Sequence, residues 1–560
     1  VFGYGECLAA KHMKVLRFST VTLEFLSVAD LKEEMGASSS TVQKSPTELR
    51  NIEDQVASLG SLTMLRTSFS KLANQESSSI PVQSLERCLG FKCKGAGSET
   101  GESKSSESSI NSLLECVGGA IVESFFEAIN DGVCWVEFLK GYLRCCQRIT
   151  ASETLNSLIM VHIIAARKAG ISLGFDAVYS GDDSFGRDHS NCKVKGVLEP
   201  SDVHLFLSMC WAMEWNSFDE IQPQWFPNLM HLVRSPFASC ADDPLSSNPQ
   251  IDAGKFLVWI LGTVPFLAEC FSHFVNSRLG CSSPLVSNES SSFSDATCSN
   301  DSKLLCDRGT TWALSLTVRG PIKSELMQIL SPIDDVEKFR YILYRSSNHG
   351  RGVNRLWESI EGYHGSLLFL VSASNGNVKG EKWVIGMLTE KGLENKDCFY
   401  GNTGTLYAIY PSFHFYPASG KEKNFVYSHL HPARKVYEAN PKAVGIGFGG
   451  SIGNERIFID EDFNRIIVRH HAVDKTYQSG SLCPNQGYLP VEGLISQVEV
   501  WGLGGKVSRT NQLSYKKREE LFIEQRRKVD LKTFASWEDA PEKLMMDMMM
   551  NPDKVSREDR

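Results

Sequence analysis

The chain has 560 residues, 42% of them hydrophobic and 22% charged, with a net charge of −8 at pH 7. These proportions describe a protein of several globular domains, and they exclude collagen-like and low-complexity classes. With a pI near 6.0 the overall charge makes no case for nucleic acid as a partner, which leaves only a local basic patch to consider.

Sixteen cysteines are scattered with no C-x-x-C pair, Cys145–Cys146 being the tightest cluster. Disulfide frameworks are short and Cys-dense, so reduced thiols of a cytosolic or nuclear protein are the reading. Cys398 and Cys483 stand in strand- and loop-like surroundings as candidate redox-sensitive thiols, against the alternative of buried structural ones.

The chain opens on Val1, and residues 1–44 read as a leader or disordered start; residues 1–34 do not read as a signal peptide, since Glu24 and Asp30 break the apolar run. Met35 begins "MGASSST", which fits the N-myristoylation signal with Gly36 as acceptor. The expectation is translation from Met35 and acylation of Gly36, against a Ser-rich start that merely follows Met-Gly. A single acyl chain gives marginal, reversible membrane residence.

From 45 to 280 the apolar spacing is helical. Ser45, Pro46 and Glu48 form one helix start, and Thr150 with Glu153 a second capping box before "LNSLIMVHIIAARKAG", with Gly170 as C-cap. His162 falls on that helix's apolar face and reads as a core residue. "FLVWILGTVPFLAECFSHFV" (256–275) is the most apolar stretch, but Pro265, Glu269 and His273 favour a buried core helix over a membrane span.

Two segments, 65–91 and 125–143, have the helix–loop–helix rhythm of EF-hands. Counting back from Glu137 puts Phe126 and Ala128 where calcium requires oxygen ligands, so metal-free pseudo-hands are expected. "GSETGESKSSESS" (97–109) reads as a disordered loop and 281–304 as a Ser-rich linker.

Past residue 304 the period changes to two. "LLFLVSAS", "KWVIGML", "TLYAIYP", "FHFYP", "NFVYSHL", "AVGIGFG", "ERIFID", "RIIVRH" and "SQVEVWGL" read as strands separated by Gly, Asn, Ser and Pro turns. The helices "IKSELMQILS" and "VNRLWESIEGY" flank them, and no helix of useful length intervenes, which excludes a parallel βαβ sheet. The fold class is α+β and multidomain: an all-α EF-hand-like domain (45–280), then a sandwich of two antiparallel sheets flanked by helices (305–507), then a charged helical tail (508–560).

Gly445, Gly447 and Gly450 spell G-x-G-x-x-G, but the motif leads into the strand "ERIFID" and no helix is available to hold a pyrophosphate. The glycines read as a close backbone approach and a hairpin turn. "GLGGKVS" lacks the first Gly of a phosphate loop. In "DEDFN", Arg465 replaces the glycine and His471 the glutamate that a calcium loop needs. His429–His431 and His470–His471 lack zinc-finger spacing. No cofactor, no metal and no catalytic residue is expected.

Six blocks decide the reading of this half: "WALSLTVRGP", "YRSSNHGRGVNRLW", "LLFLVSASNGNVKG", "CFYGNTGTLYAIYP", "GFGGSIGNERIFIDEDFNR" and "VEVWGLGG". Residues 305–504 resemble the TLDc domain of the oxidation-resistance proteins, and the EF-hand-like start is similar to the plant members. The resemblance implies a sandwich, a role in resistance to oxidative stress without an established catalytic residue, and, as in some members, binding to the vacuolar-type proton-pumping ATPase (V-ATPase). Carried over as partner-binding candidates are Arg345, Ser346, His349, Gly350, Tyr400, Gly401, Asp460, Asp462 and Trp501, with Gly449 and Gly450 as matching positions. Against binding, Trp501 reads as core, Gly401, Gly449 and Gly450 as turns and Asp460 as a hairpin cap, which leaves Arg345 and His349 as the better surface candidates. Thr403-Gly404-Thr405 stands where an acidic residue often follows the "FYG" block.

The expectation is a non-enzymatic interaction protein, cytoplasmic and peripheral at membranes. The alternatives are a thiol-based antioxidant enzyme using Cys398 or Cys483, and a nuclear or nucleolar RNA-associated protein using the "KKREELFIEQRRK" helix.

Overall fold

A computed structural model describes residues 46–538 except 75–77, 94–103, 130, 148–149, 180–191, 216–219, 222–225, 241–247, 281–303, 331–339, 376–379 and 431–441, together with 543, 545–546 and 549. Gly36, Ser45 and the 281–303 stretch lie outside the described residues. Residues 1–50 and 51–560 are separate units, and of the first only Pro46–Arg50 is described.

The helical half runs α1 (Pro46–Ser58), α2 (Leu62–Leu72), β1 (Ile80–Pro81), α3 (Val82–Cys88), β2 (Lys92–Cys93), α4 (Lys104–Phe125), β3 (Gly132–Val133) and α5 (Trp135–Cys146). It continues with α6 (Ala151–Lys168), β4 (Phe175–Tyr179), β5 (Cys192–Leu198), α7 (Pro200–Glu214), β6 (Glu220–Ile221), α8 (Met230–Cys240), β7 (Ile251–Asp252), α9 (Ala253–Thr263) and α10 (Glu269–Gly280). The Thr150–Glu153 capping box forms, satisfying two backbone donors at the head of α6. His162 is buried, and burial lowers its pKa to about 3.

The two EF-hand-like segments are clasped by an antiparallel bridge, Ile80↔Val133 and Pro81↔Gly132. A second clasp, Val197↔Asp252 and Leu198↔Ile251, joins the α6–α7 and α8–α9 units. Three sequence readings need correction. The half is not all-α, because β4 and β5 form an antiparallel ladder. The Ser-rich run reaching 109 is helical from Lys104, since its serines front an apolar helix that packing stabilises. The apolar stretch 256–275 is two helices, broken between Thr263 and Glu269 around Pro265. Among the described residues no single helix is long and apolar enough to cross a membrane.

The second half begins with α11 (Arg308–Ser315) and α12 (Pro321–Leu330), then β8 (Ile342–Arg345), a helical turn at Ser346–His349, and α13 (Val353–Ile360). The strands follow: β9 (Leu367–Asn375), β10 (Lys382–Thr389), β11 (Lys396–Tyr400), β12 (Gly404–Tyr410), β13 (His414–Pro417), β14 (Val426–His429), β15 (Gly445–Ser451), β16 (Asn454–Asp460), β17 (Arg465–Val468) and β18 (Val491–Gly502). The last helix is α14 (Gly505–Glu538).

Instead of two separate sheets there is one antiparallel path, β11-β14-β15-β16-β17-β18-β9-β10-β12-β13, with β8 pairing β18, curled on itself. The long strand β18 makes this continuity, because its first residues pair with β17 and the rest with β9.

Side chains on β9 and β10 alternate between two cores. Phe369, Val371, Ala373, Trp383, Ile385 and Met387 fill the inside of the curl. Leu368, Leu370, Val384 and Leu388, with Tyr407 and Ile409 of β12, face the other way into a core shared with the helices. Both faces of β9 are therefore buried, which is why its sequence reads as an unbroken apolar run.

Candidate functional site

The end of β8 and the turn after it form a polar rim. Ser346 Oγ accepts the Val498 N–H at 3.0 Å, so this matched serine is a buried brace on β18. His349 is exposed, with Nδ1 3.0 Å from the Arg345 amide nitrogen and its ring stacked 5.7 Å from Tyr344. Tyr344 in turn donates to the Gly350 carbonyl at 2.6 Å. Arg351 donates to the Ser496 carbonyl at 3.2 Å.

The β16–β17 turn joins this rim from the side. Val353 N–H donates to the Glu461 carbonyl at 2.8 Å, and Phe463 packs edge-on against Tyr344 at 6.0 Å. Asp460 Oδ1 and Oδ2 accept the N–H groups of Asn464 (2.8 Å) and Arg465 (3.1 Å). Asp460 is therefore the turn's cap, and Asp462 is the exposed acid beside it.

Arg345 points inward. Its Nε lies 3.4 Å from Glu499 Oε1, with Glu499 fully buried. Glu499 also accepts the Trp501 indole N–H at 3.1 Å and the Leu305 N–H at 3.1 Å. Burial raises the Glu499 pKa, and the donors from Leu305, Trp501 and Arg345 pull it back. Trp501, fully buried, is a core residue hydrogen-bonded to this network. Sequence reasoning missed Glu499 because a Glu alternating with Val along a strand looks solvent-facing.

The structure thus gathers Arg345, Ser346, His349, Gly350, Asp460 and Asp462, and ties in Trp501 through Glu499. Tyr400 and Gly401 lie apart from them. Tyr400 Oη is 2.6 Å from Ser428 Oγ and accepts the Glu394 N–H at 2.9 Å. Its pKa is raised to about 12 by burial. Gly401 turns the chain against Phe425.

A second buried charge pair lies behind the glycine motif. β15 runs directly into β16, so the strand-to-strand reading of the fingerprint holds. Gly449 and Gly450 have φ of +67° and +84°, and a Cβ on Gly449 would stand 2.7 Å from Asp474 Oδ2. Asp474 Oδ1 accepts the N–H groups of Gly450 (3.0 Å) and Thr476 (2.8 Å). Oδ2 accepts from Arg456 at 3.2 Å, with both side chains fully buried. Arg456 also donates to the carbonyls of Gln478 (2.8 Å) and Gly480 (2.9 Å). Burial lowers the Arg456 pKa while Asp474 pushes it back up. The glycines make room for a carboxylate of the chain itself.

Cys483 is buried and its pKa is pushed up to about 12, while Cys398 is exposed on the edge strand β11. Ser239 Oγ is 3.4 Å from His414 Nε2, but burial lowers the His414 pKa to about 4. Among the described residues no group of three or more His, Cys, Asp or Glu gathers as a metal-holding cluster.

The TLDc domain model matches residues 320–504. The chain carries a TLDc domain. The TLDc match spans α12 through β18 and ends one residue short of α14, so it encloses both the rim and the Arg456–Asp474 pair. No curated protein matches the chain.

Proposed function

We propose that this TLDc-domain protein acts without catalysis in resistance to oxidative stress, by docking a protein partner on the rim around Ser346–His349 and the β16–β17 turn. One observation carries the reading: exposed His349, Arg351 and Asp462 stand on backbone that Ser346, Tyr344 and Asp460 lock by hydrogen bonds. Polar side chains held rigidly at the end of a sheet meet a partner with little ordering cost. The partner proposed is the V-ATPase, reached at a membrane through acylated Gly36.

Two chemical arguments support the non-enzymatic side. A thiol with a pKa near 12 carries almost no thiolate at neutral pH, which argues against Cys483 as a nucleophile. An imidazole with a pKa near 4 is too weak a base to activate the Ser239 hydroxyl.

The test is affinity capture with the full chain and with an His349→Ala/Asp462→Lys double variant. Recovery of pump subunits by the wild type and their loss in the variant is the expected result; no pump subunit with either would remove that partner. Intact mass of the native protein tests Gly36, because an unmodified glycine or another start residue discards the lipid anchor.

A second reading rests on α14. Lys516, Lys517, Arg518, Arg526, Arg527 and Lys528 crowd a segment whose residues from Lys517 to Lys528 are exposed. If this helix binds RNA, affinity falls steeply with salt; a flat response rejects it.

A further inference from the structure

The helical half and the sheet meet along a seam whose chemistry is that of a protein interior. α11 lies in it. Trp312, fully buried, packs edge-on against Trp211 of α7 at 5.5 Å. Gly309 passes so close to the segment ahead of α8 that a Cβ there would stand 2.2 Å from the Asn228 carbonyl oxygen. Leu305 N–H donates to Glu499 at 3.1 Å, and Thr317 Oγ1 lies 3.1 Å from Tyr407 Oη on β12. Segment 304–317 therefore touches helices on one side and strands on the other.

Beside it the loop before β13 enters the helices directly. Phe413 N–H donates to the His231 carbonyl at 3.0 Å, and its own carbonyl accepts from Ser235 Oγ. Ser235 Oγ also accepts the Trp259 indole N–H at 2.9 Å. His231 is buried there with its pKa lowered to about 4 by desolvation, partly offset by Asp307. The seam is edged by charge: Arg319 lies 2.7 Å from Glu269 and 4.0 Å above the Phe266 ring. Lys323 is 3.5 Å from Glu214. Phe266 N–H donates to the Leu316 carbonyl at 3.1 Å.

Paired helix–loop–helix units commonly serve as seats for an amphipathic helix, read by an aromatic anchor in an apolar groove. Here an aromatic-anchored helix of the same chain sits against α7 and the head of α8. We infer that the helical half is a permanent cover for the outer face of the sheet, with its helix-binding groove filled in cis by α11 through Trp312. A partner is thereby confined to the rim and the free edges. Neither the seat on α7 and α8 nor the outer face of β9, β10 and β12 is open to it.

Hydrogen exchange on the full chain tests this. The amides of Phe266 and Phe413 are each hydrogen-bonded across the seam, so a permanent cover exchanges them as slowly as the amides of β9. Exchange faster than β9 and α7 by about tenfold or more, with those two still protected, would show the halves opening as separate bodies and overturn the inference. A Gly309→Ala variant drives a methyl into the Asn228 carbonyl and is expected to speed Phe266 and Phe413 by at least about tenfold while β9 keeps its protection. Ser235→Ala removes the hydroxyl between Phe413 and Trp259 and serves where Gly309→Ala does not fold. If neither substitution changes exchange at Phe413, the seam does not protect that amide, and the cover is rejected.

Discussion

The loop Phe126–Glu137 in the helical half and the turn Gly449–Gly450 in the sheet both need left-handed backbone, and they meet the need with opposite residue types. In the first, Asp131 has φ of +61° at the sixth of twelve positions, where a calcium loop places glycine. Phe126, at the first position, is buried against Gly141 and Phe138, and the loop clasps its neighbour through Val133 and the Asp131 carbonyl, which accepts the Val82 N–H at 3.2 Å. In the second, a carboxylate approaches so closely that no Cβ fits. A left-handed position tolerates Asp or Asn when the space beside it is empty, and it requires glycine when something else occupies that space.

The largest test falls on the sheet. Asp474→Ala strands the buried Arg456 guanidinium and is expected to cost about 3–5 kcal/mol in chemical denaturation. Replacing both members by apolar residues should recover only part of that loss, because the charge is then gone but the Gly450 and Thr476 amides and the Gln478 and Gly480 carbonyls still lose their partners. Next comes Gly449→Ala, expected to destabilise by about 1–3 kcal/mol from the left-handed backbone alone, and further as the methyl meets Asp474.

Asp460→Ala leaves the Asn464 and Arg465 amides without their carboxylate and should cost about 1 kcal/mol, since the turn lies in solvent. Smallest is Asp131→Gly, a change within about 1 kcal/mol in the stabilising direction. A loss there as large as that of Gly449→Ala would erase the distinction between the two loops. Calcium titration belongs to the same comparison: with Phe126 and Ala128 at ligand positions, the melting temperature should not move.

Much of this architecture was legible because it follows from periodicity. The strands from "LLFLVSAS" to "SQVEVWGL" alternate or run apolar, and their order needed no tertiary information. β8 and β11 are missing from that run of strands for a physical reason. β8 is four residues ending in a helical turn, and β11 is a polar edge strand with Lys396, Asp397 and Cys398 exposed. Such strands are specified by the neighbour they pair with. The glycine motif leads into a strand, as its sequence indicates, yet the group packed against it, Asp474, lies 24 residues along in an unpatterned loop. Nothing local in the sequence links Asp474 to Gly450. Of the site residues, His349 and Asp462 kept the exposure expected of a binding surface. Asp460 and Trp501 are the cap and core residues their sequence context allows, and Ser346, Asp460 and Trp501 are held in hydrogen bonds within the fold, because a matched block records shape as readily as contact.

Strand β9 belongs to two interiors at once, and this changes what mutation can do there. On an ordinary surface strand every second position drifts freely. Between Leu367 and Ala373 neither parity offers such freedom: Leu368 and Leu370 answer to the helices, and Phe369 and Val371 to the curl. Random substitution across these seven positions should therefore be rejected almost uniformly, leaving a block of intolerance where a half-buried strand would show a comb.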